Sequence, residues 1–308
     1  MPPSSSLSHP PSIAPAAAAR WAARVPADES PWLHEEVARR MEERLQWIRR
    51  EPQHWVHWAP LRGGLQAHRR IAQRYPQAAC RIAGEDAPGA AQRALAALRP
   101  AGWQRLKGWL GGAVTLAAGE PAEGQAQMLW ANMALHMAAD PQALLARWHR
   151  TLAVDGFVMF SALGPDTLRE LRALYAELGW PPPAHEFTDM HDWGDMLVQA
   201  GFAEPVMDME RLVFTWDSPQ RLLAELRTLG ANLHRDRFAG LRGRRWRERL
   251  HEALAQRLAD PAQGGRLALT FEIVYGHAFK PAPRLKVAAE SALSLRDMRD
   301  MLGKKPAR

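Results

Sequence analysis

From Met128 to Arg172 the apolar positions change period twice. Met128 to Leu135 is a short apolar run with Asn132 inside it, and from Pro141 to Leu152 the residues Leu144, Leu145, Trp148 and Leu152 recur at helical spacing. Asp155-Gly156 breaks that helix. Phe157 to Phe160 is then a continuous apolar run, short enough to be a strand buried on both faces. Strand, helix, turn and strand in this order predict a βαβ unit with a right-handed crossover. A parallel sheet opens its ligand crevice at the carboxyl ends of its strands, so a site is expected at Asn132 to His136 and at Ser161 to Arg172.

The same reading extends to both ends of the chain. Trp32 to Arg50 places Leu33, Val37, Met41, Leu45 and Ile48 on one stripe of an amphipathic helix, with Pro31 at its start. Trp55 to Trp58 predicts a strand, Ala59 to Gly64 a loop and Leu65 to Arg74 a helix. Ala78 to Ala83 gives a second strand ending at Glu85-Asp86, a helix follows over Ala90 to Leu98, and Ala113 to Ala117 is a third strand. Beyond the βαβ unit, Met190 to Ala200 is a helix closed by Gly201, and Pro205 to Trp216 alternates as an antiparallel strand does. Ser218 caps a helix over Pro219 to Leu229, Trp246 to Leu258 is another helix, and Arg266 to Phe279 is the last long strand. Five βα alternations followed by two late strands predict an α/β doubly wound sheet with an antiparallel edge hairpin. The expected organisation is a disordered tail over 1–19, one domain over 20–285 with a helical insertion or lid over 218–265, and a basic tail over 286–308.

Composition narrows the partners. With 308 residues, 47% hydrophobic and 24% charged, the chain suffices for one large globular domain. The single Cys80 excludes an intramolecular disulfide and a cysteine metal site. No lysine or arginine precedes Arg20 and no sustained apolar core lies there, so neither a signal peptide nor a membrane span is expected and a cytoplasmic location is the default. A net charge of +7 permits a polyanionic partner, yet the arginines are dispersed except in Arg235 to Arg249. Nucleic acid and an acidic carrier protein both fit that charge.

Several residues carry possible chemistry. Gly63-Gly64 opens a helix and either cradles an anion on free amides or simply makes a turn. Asn132 sits inside an apolar strand, so its amide needs a partner, whether a ligand or the core. Arg169 and Arg172 follow the last parallel strand, where forked donors would orient a carboxylate, or where a helix would carry solvated charge. His136 faces a pocket or a helix surface, and His57 beside Trp58 reads as packing. Twelve histidines supply no close ligand pair on one helix face, so no metal is expected.

Three segments together resemble class I S-adenosylmethionine-dependent methyltransferases, and among them the malonyl-acyl carrier protein O-methyltransferases of biotin synthesis. LWANMALHMAADPQALLARWHRTLAVDGFVMFSALGPDTLRELR is similar to that family's fourth strand, helix, fifth strand and following loop. HDWGDMLVQAGF with FTWDSPQRLLAELRTLGANL resembles a later segment, and LTFEIVYGHAFKP resembles the closing strand. The resemblance implies a Rossmann-like seven-stranded, mostly parallel sheet with an antiparallel last strand and helices on both faces. It implies S-adenosylmethionine as methyl donor, bound by Gly63, Gly64, Glu85 and Asn132, and the free carboxyl of a malonyl group on acyl carrier protein as acceptor, oriented by Arg169 and Arg172. A monomer without membrane or nucleic-acid partners is expected. The chain departs from the family's glycine-rich first loop: His57 stands in place of the aspartate, and Ala59 and Leu61 in place of two glycines. A non-catalytic relative that keeps the fold for binding or regulation is the alternative, and a nucleic-acid-binding protein a further one.

Overall fold

The computed structural model describes residues 12–24, 26, 28–99 and 115–283. Its sheet orders β3 (Leu116–Ala118), β2 (Ala79–Ala83), β1 (His54–Trp58), β4 (Ala126–Ala131), β5 (Leu152–Leu163), β8 (Arg266–Phe279) and β6 (Ala203–Trp216) side by side, with the two-residue β7 (Ala259–Asp260) against β8. β1 to β5 pair in parallel, whereas β8 runs antiparallel to β5 and β6 on either side. The expected mostly parallel sheet with an antiparallel last strand is present. It has eight strands rather than seven, the additional one being β7.

The helices are α1 (Pro15–Ala22), α2 (Trp32–Arg44), the single turn α3 (Pro60–Gly63), α4 (Leu65–Arg74), α5 (Ala90–Leu98), α6 (Pro141–Thr151), α7 (Arg169–Glu177), α8 (Met190–Gln199), α9 (Pro219–Leu229) and α10 (Arg244–Arg257). Alternate side chains of the central strands point to opposite layers. Met128, Trp130, Phe157 and Met159 join one core with Leu33, Val37 and Met41 of α2, while Leu129, Val158 and Phe160 join a second with Trp148 of α6 and Trp193 of α8. This is why those strands read as unbroken apolar runs: neither face meets water. Each fully buried side chain of this size contributes about 1.5–3 kcal/mol by leaving water.

Local differences from the sequence reading have local causes. α6 ends at Thr151, and Leu152 already pairs with Ala126; Asp155, at φ 64°, lies within a register shift of β5 instead of ending a helix. Residues 12–19, expected in a disordered tail, are ordered. Ile13, Ala17 and Ala18 are buried against Leu233, and Ile13 bridges His234, so an alanine-rich helix with little polar character of its own is held by tertiary contact. Residues 1–11, residues 100–114 with the first two positions of the expected third strand, and residues 284–308, which include the expected basic tail, lie outside the described residues; the rest of that strand is found as β3.

Candidate functional site

At the carboxyl ends of β1, β2 and β4 a cleft of about 910 Å³ opens, walled on its outer side by α1, the start of α2 and the end of α9. Its floor includes Trp58, Ala59, Leu61 and Arg62 from the first loop, Gly84 and Asp86 after β2, and Asn132 to Ala134 after β4. This is where the strand order of an open α/β sheet places a ligand.

The first loop is closed upon itself. The N–H of Ala59 donates to Ala83 O at 2.7 Å, that of Leu61 to the Glu85 carboxylate at 2.9 Å, and those of Arg62 and Gly63 to Ala59 O at 3.1 and 2.7 Å. Gly64 N–H donates to Pro60 O at 2.9 Å, and Leu65 N–H to the Ser30 hydroxyl at 2.8 Å. The amides of Gln66 and Ala67 then donate to the two oxygens of Glu35, at 3.0 and 3.1 Å. From Ala59 to Ala67 every backbone donor is therefore engaged within the chain. The anion cradle expected at Gly63-Gly64 is filled by the protein's own carboxylate from α2, which sits against the positive end of α4 as an external anion would.

Side chains fill the same region. Leu61 is 2% exposed and packs with Ile82, Ala87 and Ala90. Trp58 lays its ring against Gly84, where a Cβ would collide with it, and stacks under the guanidinium of Arg147 at 4.7 Å. Gly84 adopts φ 74°, so glycine is required here on two counts. Arg62 reaches across the cleft, lies 4.7 Å over the Trp21 ring, and donates to the carbonyls of Trp21 and Arg24 at 2.8 and 2.6 Å. Burial lowers its pKa while the carboxylates of Glu85 and Asp86 act in the opposite direction.

Asn132 is 1% exposed and ties the two sides of the cleft together. Its amide nitrogen donates to Gly63 O and, at 2.8 Å, to His34 O, while its oxygen accepts from the Ser161 hydroxyl at 2.6 Å. Ser161 also accepts from Met133 N–H at 3.0 Å. The amide that needed a partner inside an apolar strand finds three, all from the chain.

The candidates thus divide. Gly63, Gly64, Glu85 and Asn132 are gathered in one corner, but as a mutually bonded set. Glu85, expected to bind the methyl donor, holds the Leu61 N–H, and burial raises its pKa; the neighbouring Asp86 lies on the cleft wall. Arg169 and Arg172, expected to orient an acceptor carboxylate, do not line the cleft. Arg169 is exposed and paired with Asp166 and Glu170, and Arg172 donates to Pro165 O, because α7 turns this face toward β8 and away from the cleft. Arg24 and Arg227 line the cleft and form no ion pair among the described residues. Sequence reasoning missed both, since a lone arginine near a helix end carries no pattern.

Two sets of histidines lie beneath the site. His57 and His68 stack with Nδ1 atoms 3.2 Å apart, below the first loop; burial pushes His68 down to about 4 and His57 well below its usual range. His136 is buried with His185, whose Nε2 lies 3.0 Å from His136 O. His57 is therefore a packing group, as expected, and His136 lies inside the molecule, not on a helix surface. Among the described residues no group of three or more potential ligands could hold a metal, and no helix is long and apolar enough to cross a membrane.

The strand order, with an antiparallel β8 inserted between β5 and β6, and the cleft over β1, β2 and β4 define a class I methyltransferase fold. A candidate methyltransferase from Bacillus halodurans superposes with a TM-score of 0.50 at 13% identity, covering 79% of this chain and 99% of that one. No protein-family model matches the chain. The malonyl-[acyl-carrier protein] O-methyltransferase of Gallionella capsiferriformans is 40% identical over 262 residues, 84% of this chain and 87% of that protein. The protein of the same name from Laribacter hongkongensis is 48% identical over 164 residues, and that match spans only 54% of its length. The chain belongs to the malonyl-[acyl-carrier protein] O-methyltransferase family.

Proposed function

We propose that the protein transfers a methyl group from S-adenosylmethionine to the free carboxyl of a malonyl group carried by acyl carrier protein, in biotin biosynthesis. The observation that carries this reading is the relation to the Gallionella protein over 84% of the chain, on a fold with a cleft at the carboxyl ends of its parallel strands. A sulfonium donor supplies an activated methyl group, so transfer to a carboxylate asks the protein for position and dryness more than for a general base. For the acceptor carboxylate, Arg24 and Arg227 replace Arg169 and Arg172 as candidates, because they face the cleft and lack carboxylate partners.

The donor side fits the cofactor poorly. The cleft has room, and Asp86 offers a carboxylate at the end of β2, but the loop amides are engaged by Glu35, Glu85 and Ser30. Leu61 occupies a glycine position. That observation favours a second reading, a family member that binds the carrier without turning over a methyl donor. Calorimetric titration with S-adenosylhomocysteine separates the two: binding below about millimolar concentration supports the enzyme, and its absence there sinks it. Rescue of a biotin-requiring strain lacking its own methyltransferase then tests the acceptor.

A further inference from the structure

One described segment is strongly positive. Arg227 to Arg249 holds eight arginines against two carboxylates, Asp236 and Glu248. Little of it is neutralised. Arg244 pairs with Glu248 at 3.0 Å, and Arg242 lies over the rings of Phe238 and Trp246 at 4.5 and 3.9 Å. Arg227, Arg235, Arg245 and Arg247 are exposed and have no ion-pair partner among the described residues.

This is not how a helix face that is merely solvated is built. On α2, Arg39 and Arg40 share Glu36, and Arg39 also meets Glu43. Interspersed signs of that kind add a little stability, whereas α10 sets Arg245 and Arg249 four residues apart with like charge, which costs stability. Two apolar side chains stand exposed in the same segment: Leu241 is 101% exposed, and Phe238, with one face under the Arg242 guanidinium, 49%. Uncompensated arginine around exposed apolar and aromatic groups is the composition of a protein-binding surface.

The segment is continuous with the cleft. Arg227 and Thr228 line it, and the loop that follows is tied to the opposite wall by the Ile13–His234 bridge and by Arg235 N–H donating to Ser12 O at 2.8 Å. The positive surface therefore starts at the cleft mouth and runs outward along α10.

We propose that Arg227 to Arg249 is the docking face for the acidic carrier protein that presents the malonyl thioester, with Leu241 and Phe238 as its apolar contacts. The identity of the partner rests on the function proposed above; the docking does not require that methyl transfer occur. A substrate tethered to a carrier has to be held by the carrier's body while its arm reaches the cleft, and opposite charge both steers that encounter and sets its orientation. Nucleic acid would meet the same charge, but the exposed leucine and the position at a cleft mouth favour a folded acidic partner.

The test uses the full chain and malonyl-loaded acyl carrier protein, with binding read by surface plasmon resonance across a salt series. R245E/R247E removes charge far from the cleft, and R245Q/R247Q is the gentler pair should reversal disturb folding; melting curves check both. The expected result is a loss of carrier affinity of about tenfold or more for the reversal and about threefold for the neutral pair, with a weaker salt dependence. S-adenosylhomocysteine titration should be the same in all three proteins, as should the rate on a carrier-free malonyl thioester if the wild type turns it over. Unchanged carrier affinity in both variants would overturn the docking face even where methylation is intact. Tighter binding to generic duplex DNA than to the carrier would overturn it in favour of nucleic acid. Arginine-dependent carrier binding without methylation would support it while removing the enzyme.

Discussion

The two sides of the cleft are held by different means. On the β4–β5 side the backbone is fixed by strands buried on both faces, and one asparagine reaches out to the other side. On the β1–β2 side the loop is fixed by carboxylates and a hydroxyl brought from α2, from the segment before it and from the end of β2. The fold depends on the first arrangement, because apolar burial supplies most of the stability. The ligand loop is energetically separable: its donors can be satisfied by a ligand or by the chain, and here the chain does so. A methyltransferase fold can therefore persist around a first loop whose backbone donors are all bonded within the chain.

The widest test of that contrast is acid, since both sides rest on buried neutral histidines. Burial lowers His34, His68 and His185 to about 4, and His57 and His136 well below their usual range. Unfolded, each would take a proton near pH 6.5, so the unfolded state binds more protons below that pH and stability falls as pH drops from about 6.5 toward 4. Above pH 7 these groups contribute no slope. Each can cost up to about 1.4 kcal/mol per pH unit, so urea unfolding at pH 5 should show a loss of several kcal/mol relative to pH 7. A flat profile between those values would mean that the histidines are not dry.

Next in size is the tie between the two sides. Asn132→Ala leaves Gly63 O, His34 O and the Ser161 hydroxyl short of a partner, and a loss of about 3 kcal/mol in denaturant unfolding is expected, against about 1 kcal/mol for Ser161→Ala. Equal effects would show that Asn132 serves its own strand alone and that the two sides are independent.

How much of this could be read beforehand follows the same division. Arg266–Phe279 and Pro219–Leu229 are found with the boundaries that periodicity predicts, because a buried run and a serine-capped helix carry their signals in adjacent residues. Asn132 was legible as an amide that needed partners. Its partners were not, since His34 O and Gly63 O are backbone atoms 98 and 69 residues away. Glu35 on α4 and Arg62 on the carbonyls of Trp21 and Arg24 are likewise contacts between distant segments. α1 was read as part of a tail because proline and alanine carry no helical stripe, and only its contact with Leu233 makes it a wall of the cleft. Arg169 and Arg172 follow the right strand, but the direction a helix face takes is decided by packing against β8.

Arg62 tests whether that wall is independent of the loop. Arg62→Ala removes the bonds to the carbonyls of Trp21 and Arg24 and the contact with the Trp21 ring, and about 1.5 kcal/mol of stability should go with them. Hydrogen exchange is the sharper measurement. Protection should fall in α1 and remain in β4 and β5; a uniform loss would show that α1 is part of the main cooperative unit.

The smallest expected effect bears most directly on the donor side. Ala59 adopts φ 48° and ψ 55°, a left-handed conformation that an alanine holds at a cost of about 1 kcal/mol and a glycine without it. Ala59→Gly restores a glycine at the place where the family has one. Against the relief stand the greater freedom of glycine in the unfolded chain, about 0.5 kcal/mol, and the loss of a buried methyl group, about 0.8 kcal/mol, so the terms nearly cancel and a change of less than about 0.5 kcal/mol is expected in thermal unfolding. The same variant should bind S-adenosylhomocysteine no better than the wild type, because the N–H groups of Leu61 and of Leu65 to Ala67 remain held by Glu85, Ser30 and Glu35. A gain in affinity of about tenfold from this one glycine would show that backbone strain at Ala59, and not the internal carboxylates, is what closes the loop.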